Sequence, residues 1–409
     1  MERFQGLIGV VLILGIAFLF SNNRKRINYR LVISGIILQV IIAVSILKIP
    51  PVTWFFQQIG EGMRGIEHFA RQGASFVFGG LMADTPDGVM NFRGGGFVFA
   101  FSVTATIILV TVLVAVLYHI GVMQKVVAVI ARAMNFVMRV SGAEALSNVA
   151  SAFVGQVEAQ VMIRPYLKGM TRSELLASMS GSLACIAGGI LIVYANMGAK
   201  AEYLIAASLM AAPGALVISK IIYPETEESE TMGKVKLEVK SSYSNLIDAI
   251  SHGAADGMKI SINVIAMLIG FIALVALINA GLGLIYPNLS LDMIFGYIFT
   301  PLAWAMGVPA QDVSAAATLL GQKLTINEFV AFSNLTTTGA HAFSSKGMLI
   351  VSIAICGFAN FSSVGMQIGG IGELAPERRK DLAQLGMRAL LAGTLASYLS
   401  ATIAGILMG

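Results

Sequence analysis

Apolar runs of close to 20 residues recur from end to end of this 409-residue chain, and that recurrence decides its fold class. A helix needs about 20 residues to cross roughly 30 Å of bilayer hydrocarbon. Lipid offers no hydrogen bonds, so a crossing backbone must satisfy its own polar groups, as helices and closed barrels do. Runs this long, without strand-like alternation, are helical. Composition agrees: 56% of residues are hydrophobic and only 12% charged, about half the charged fraction of a soluble domain. The mean hydropathy is +0.81. The net charge of +5 does not point to nucleic acid, because the basic residues sit mainly in short loops between spans. There they report orientation. Cys185 and Cys356 both lie in apolar stretches, so no disulfide framework is expected.

Met1 to Phe20 is apolar almost from its first residue, with its positive cluster behind it, which marks a first span rather than a cleaved signal. The loop carrying Arg24, Lys25, Arg26 and Arg30 holds no acid, so the positive-inside rule sets it in the cytoplasm and both chain ends outside. The membrane implied is the plasma (bacterial inner) membrane. Residues 1–120 are expected to be mostly scaffold, spans 1 to 3 with an interfacial stretch from Trp54 to Arg93. Residues 121–223 form a first transport half. It begins with an amphipathic helix bearing Lys125, Arg132 and Arg139 at a spacing of seven. Gly142 to Pro165 follows, too polar at its centre and too alike in charge at its ends to cross, so it reads as a re-entrant hairpin. Spans 4 and 5 complete this half. Residues 224–243 read as a cytoplasmic linker, and 244–310 as an amphipathic stretch, Ser244 to Met258, then span 6 and interfacial segments. Residues 311–409 repeat the first pattern with a second hairpin and spans 7 and 8. Three spans separate the hairpins, an odd number, so they enter from opposite faces. The expected fold is all-α and polytopic: eight transmembrane helices plus two oppositely oriented re-entrant hairpins in an inverted repeat. Secondary transporters with such repeats hold substrate near midplane, between broken helices.

The residues that could hold a ligand interrupt those apolar runs. Gly155-Gln156-Val157-Glu158-Ala159-Gln160 lies at the first hairpin tip, Glu328 in the second hairpin, and Gly357-Phe358-Ala359-Asn360-Phe361-Ser362-Ser363 in a later span. A carboxylate within the membrane is costly unless it meets donors or lines a cavity. Glu158 could instead cap its own hairpin turn, Glu328 could sit at headgroup level, and Asn360 could be inter-helix glue. Two amides flanking Glu158 are more polarity than a cap needs. Asn360 and Ser363 are three apart, on one helix face, and Asn both donates and accepts. Phe358 could stack on a flat ligand or simply pack. The histidines 68, 119, 252 and 341 fall near surfaces, and the methionines read as core filler. No metalloprotease, serine-hydrolase or phosphate-loop motif occurs, so an enzyme or ATP-driven pump is not supported. No basic residue suited to a dicarboxylate stands at either hairpin tip.

The stretches Gly155-Gln156-Val157-Glu158-Ala159, Asn327-Glu328-Phe329-Val330-Ala331 and Gly357 to Ser363, with the closing Ser400-Ala401-Thr402-Ile403-Ala404-Gly405, closely resemble the concentrative nucleoside transporters. The likeness runs in order over the whole chain. It implies a homotrimer importing nucleosides by Na⁺ or H⁺ symport, with no other cofactor, through an elevator motion of the transport halves. Another elevator-type symporter of a small polar metabolite is the alternative. Carried over by position, Gln156 and Glu158 would bond the base with Ile190 on its apolar side, and Glu328, Asn360 and Ser363 the ribose beside Phe358. Val157 stands where the family usually has a hydroxyl, and Gln160 where it often has proline. The implied coupling-ion positions are Ser151, Val154, Cys185 and Ile186, the one sodium site the resemblance allows. The family's Na⁺ pattern has asparagine and serine at the first and third of these. Sodium wants oxygen ligands and a thiol is a poor one, so H⁺ coupling or a degenerate Na⁺ dependence is favoured. Glu158 or Glu328 would then carry the proton, because burial favours a carboxyl's neutral form.

Overall fold

The computed structural model describes residues 2–79, 99–232, 243–287, 289–336 and 342–408. Among these, α1 (Glu2–Leu19) and α2 (Tyr29–Lys48) are the first two spans, joined by the basic loop. Asn28 caps α2, its Oδ1 accepting from Leu31 N at 3.2 Å. α3 (Pro50–Phe78) starts on two prolines, which cost nothing in a first turn whose N–H groups have no helical partner. It falls where the interfacial stretch was expected; residues 80–93 of that stretch lie outside the described residues. α4 (Phe99–His119) and α5 (Val122–Met138) meet at Gly121, φ 81°, and bend by 76°. Lys125 and Arg132 face out along α5 while Met123, Val127, Ala131 and Met134 are buried, the amphipathic face read from the spacing of seven.

The first hairpin comprises α6 (Gly142–Ser151), α7 (Glu158–Met162) and α8 (Arg164–Leu167). It enters and leaves on one face. At its start Gly142 N donates to Thr231 O at 2.8 Å; just past its end the Arg378 guanidinium donates to Lys168 O and Met170 O at 2.9 and 2.6 Å. The next span is broken: α9 (Arg172–Ala184) and α10 (Gly188–Asn196) flank residues 185–187. A reciprocal capping box between Thr171 and Glu174 starts α9. α11 (Ala201–Ile222) is unbroken despite Pro213. Near its end Lys220, its side chain 6% exposed, reaches Glu144 Oε1 at 2.5 Å, Ser173 Oγ at 2.9 Å and Glu225 Oε2 at 3.2 Å. One buried ammonium thus ties α11 to the first hairpin, to α9 and to the start of the linker, of which residues 233–242 lie outside the described residues.

α12 (Leu246–Ile285) corrects one boundary. The amphipathic stretch Ser244–Met258 and span 6 are a single helix of 40 residues, begun by the Asn245 cap. Its polar-looking first half is a packing face: a Cβ on Gly253 or Gly257 would stand 2.8 Å from Val112 Cα or 2.7 Å from Ile108 Cα. These glycines, four apart, let α12 lie against α4 backbone to backbone. α13 (Leu291–Ala305) leads to the second hairpin, α14 (Val313–Thr325) and α15 (Glu328–Thr336). Its two sides also meet on one face, where Asp312 Oδ2 accepts from Ser344 Oγ at 2.5 Å. The following span is α16 (Ser345–Ile355) and α17 (Phe361–Leu374), broken over residues 356–360. The last, α18 (Arg379–Met408), is a central post packed on α1, α9, α11, α16 and α17. Within the described residues this makes eight spans, two of them broken, and two hairpins in the inverted arrangement.

Candidate functional site

The two broken spans cross where each is unwound. Phe358 N donates to Cys185 O at 3.2 Å, and Gly188 N to Phe153 O at 3.2 Å, stitching the breaks to each other and the first of them to the first hairpin. Gly357 permits the crossing: its φ is 136°, and a Cβ there would stand 2.4 Å from Ala184 O. Gly155, φ 126°, turns the hairpin tip the same way. α10, α15 and α17 all start here, so their positive dipole ends converge on this region.

A cavity of about 200 Å³ opens between these elements. Gln156, Val157 and Glu158 line it from the first hairpin, Ile190 from α10, Glu328 from the second hairpin, and Phe358, Asn360 and Ser363 from the second break. All eight residues singled out as substrate contacts therefore share one wall system. Glu328 is 6% exposed and held from both sides: Tyr194 Oη donates to its Oε1 at 3.2 Å, Asn360 Nδ2 to its Oε2 at 2.9 Å. Glu328 is thus enclosed by protein groups rather than set on an outer surface. Asn360 is the inter-helix link weighed for it, through its bond to Glu328 on α15, and its Oδ1 also caps α17 by accepting from Ser363 N at 2.8 Å. Asn327 caps α15 in the same way, accepting from Val330 N at 2.9 Å.

On the first-hairpin side, Gln156 donates only a weak contact to Met366 Sδ at 3.9 Å, and its buried Oε1 has no partner among the described residues. A buried amide oxygen left bare costs free energy until a donor arrives, which suits it to a ligand N–H. Glu158 lines the cavity, and its carboxylate also accepts from the backbone N–H groups of Val157 and Glu158 in its own turn, so the capping role and the cavity role coincide. Val157 lines the wall, yet a Cβ on Gly370 would lie 2.7 and 3.1 Å from its two methyls, so these pack against α17. A second cavity, about 280 Å³ between α4, α10 and α12, shares Glu158 and Ile190 with the first and extends to Tyr118, Tyr243 and Asp256, giving the site an access path.

Two contributors escaped sequence reasoning. Tyr194, fully buried, holds Glu328 and stacks on Phe332 at 4.3 Å; the signal was its place one helical turn after Ile190. Asn263 reaches the cavity from α12, and an asparagine midway along a long apolar helix was visible. Lys323 is not on the cavity wall; its fully buried ammonium lies 5.9 Å over the Tyr398 ring.

The expected coupling-ion residues fall at two adjoining breaks, Ser151 and Val154 at the first-hairpin break, Cys185 and Ile186 at that of α9–α10. The two side chains fit a cation poorly. Ser151 Oγ donates to Ser147 O at 2.7 Å and meets Ser182 Oγ at 2.8 Å, while the Cys185 thiol points at Asn148 O and Ser208 O, 3.9 and 3.8 Å away.

Two inverted hairpins and two crossed breaks around one largely apolar cavity with a few converging polar groups define a membrane carrier of small polar molecules. Models for the Na⁺ dependent nucleoside transporter N-terminus and C-terminus match residues 8–81 and 203–405, and a nucleoside recognition model matches 100–201. An uncharacterized transporter of Bacillus subtilis is 42% identical over 99% of this chain and 100% of its own length. The nucleoside permease NupC of Helicobacter pylori is 37% identical over 98% of this chain and 97% of its own. The solved structure of CNTnw in an inward-facing substrate-bound state superposes with a TM-score of 0.94 at 41% identity, covering 100% of this chain and 98% of that one. This chain belongs to the Na⁺ dependent nucleoside transporter family. It is a secondary active nucleoside transporter of the elevator type, coupled to Na⁺ or H⁺, and not an enzyme.

Proposed function

We propose that the cavity binds one nucleoside with its base toward Gln156, Glu158 and Ile190 and its ribose toward Glu328, Asn360 and Ser363, beside Phe358. The observation that carries this is the division of polar atoms. The bare Gln156 amide oxygen suits a base N–H, whereas the doubly held Glu328 carboxylate keeps lone pairs for a pair of hydroxyls. Residues 121–223 and 311–409 form the moving halves, and 1–120 and 244–310 the scaffold, with 224–243 a linker. Ile107 on α4 and Ile260 and Val264 on α12 present apolar faces to the cavity, which supports sliding, with Asn263 a polar side chain that α12 brings to that wall. The scaffold assembles three copies, for which the exposed Ile262, Ile269 and Leu277 on the outer face of α12 offer an apolar surface. The protein sits in the bacterial inner membrane with both ends outside. Its coupling ion is H⁺, because the Ser151 and Cys185 side chains are turned onto protein partners. Glu158, open to the cavity and to its access path, and Glu328 are the carboxylates placed to carry the proton. Calorimetric titration with uridine, adenosine and a panel of non-nucleoside metabolites tests the assignment. Saturable binding of nucleosides alone is expected; preference for another small polar metabolite would replace it.

A further inference from the structure

The second arm of the first hairpin cannot hold its own shape. α7 has five residues, little more than one turn, and helices that short are not stable alone. Gln160, fully buried, fixes it: its Nε2 donates to Ser182 Oγ at 2.8 Å, and its Oε1 accepts from Ser178 Oγ at 2.7 Å. Ser178 and Ser182 are four apart on α9 and so share one face. Ser182 also meets Ser151 Oγ at 2.8 Å, and Ser151 donates to Ser147 O at 2.7 Å.

Counting protons gives the chain a direction. Ser151 has one proton and directs it to the Ser147 carbonyl, so Ser182 must donate to Ser151 while accepting from Gln160. The bonds run one way, Ser178 to Gln160 to Ser182 to Ser151 to the Ser147 carbonyl. Bonds aligned in this sense polarise and strengthen one another. Both arms of the hairpin are thereby tied to α9, and Gln156 and Glu158 stand four and two residues before the tie.

We propose that Gln160 is a positioning residue which, through this chain of hydroxyls, sets Gln156 and Glu158 at the base side of the site without a bound Na⁺. The proposal rests on the cavity being the nucleoside site. Ser151 bonds within this chain of hydroxyls, so protein groups alone close both arms of the hairpin onto α9.

The test is uridine titration of the full-length protein in NaCl and in choline chloride at equal ionic strength. Wild type is expected to bind within about twofold in the two salts. Gln160→Leu, similar in size but unable to bond, should weaken uridine about tenfold in both, the scale of a lost buried hydrogen bond or two. Ser182→Ala should weaken it less, and Ser182→Thr, which keeps the hydroxyl, should bind as wild type. The base-side role has its own readout: Gln160→Leu should change the uridine-to-adenosine affinity ratio but not the uridine-to-deoxyuridine ratio. A merely structural role would lower the active fraction and leave both ratios alone, overturning the proposal. Uridine binding by Gln160→Leu or Ser182→Ala equal to wild type, or wild-type binding weakened tenfold in choline, would also overturn it. Should Gln160→Leu not fold, Ser182→Ala and its threonine counterpart decide. Failure of wild type to bind any nucleoside in either salt would remove the site reading itself, and this proposal with it.

Discussion

Glu328 is the residue on which the proposed ribose side turns. Tyr194 and Asn360 orient its carboxylate while leaving acceptor capacity toward the cavity. Glu328→Gln replaces a charged acceptor by an amide, and hydrogen bonds to charged groups contribute about 1.5–3 kcal/mol each. The expected result is ten- to a hundredfold weaker uridine binding by calorimetry, with unchanged elution in size exclusion; near-wild-type affinity would remove Glu328 from the site. On the base side, Gln156→Ala should weaken every nucleoside. Val157→Thr has the same shape and places a hydroxyl at the wall between Gln156 and α17. It should shift the ratio of pyrimidine to purine affinity in competition assays, and an unchanged profile would show that position 157 does not face the base.

At the scale of elements, what sequence made legible was whatever departs from an apolar run. Gly155 and Gly357 stood out as small residues beside amides, and both prove to be unwound positions at positive φ. Gln156, Glu158, Phe358, Asn360 and Ser363 were found for the same reason, being polar or aromatic residues close to those glycines; Glu328 stood out as a carboxylate inside the second hairpin, and Val157 and Ile190 were carried by resemblance. Tyr194 was hidden because a tyrosine inside an apolar helix reads as packing until its hydroxyl partner is seen. The continuity of α12 was hidden because Gly253 and Gly257 lower its apparent hydrophobicity while serving close packing on α4. Lys220 was read only as part of a span end, yet it joins three elements. Removing one partner of a buried ion pair costs about 3–5 kcal/mol. Lys220→Met should therefore lower the unfolding midpoint sharply in a thermal melt. Lys220→Met with Glu144→Leu should recover much of the loss, and a midpoint equal to wild type in the single variant would contradict the buried-pair reading.

At the scale of the whole molecule, the proposed site and the proposed moving halves have to work together. The site cavity adjoins a second one along α4 and α12, the elements assigned to the scaffold. Native mass spectrometry should find three copies of the 43.2 kDa chain; a monomer would contradict the proposed assembly. The family allows Na⁺ or H⁺ to drive transport, whereas the side chains of Ser151 and Cys185 disfavour the first. Uptake of radiolabelled uridine into proteoliposomes, under imposed inward gradients of each ion separately, tests the account most directly. It predicts accumulation above the external concentration under an inward proton gradient, abolished by a protonophore, with little response to Na⁺ at equal pH. Accumulation under neither gradient would contradict nucleoside symport, and strong stimulation by Na⁺ alone would contradict the reading of the coupling residues.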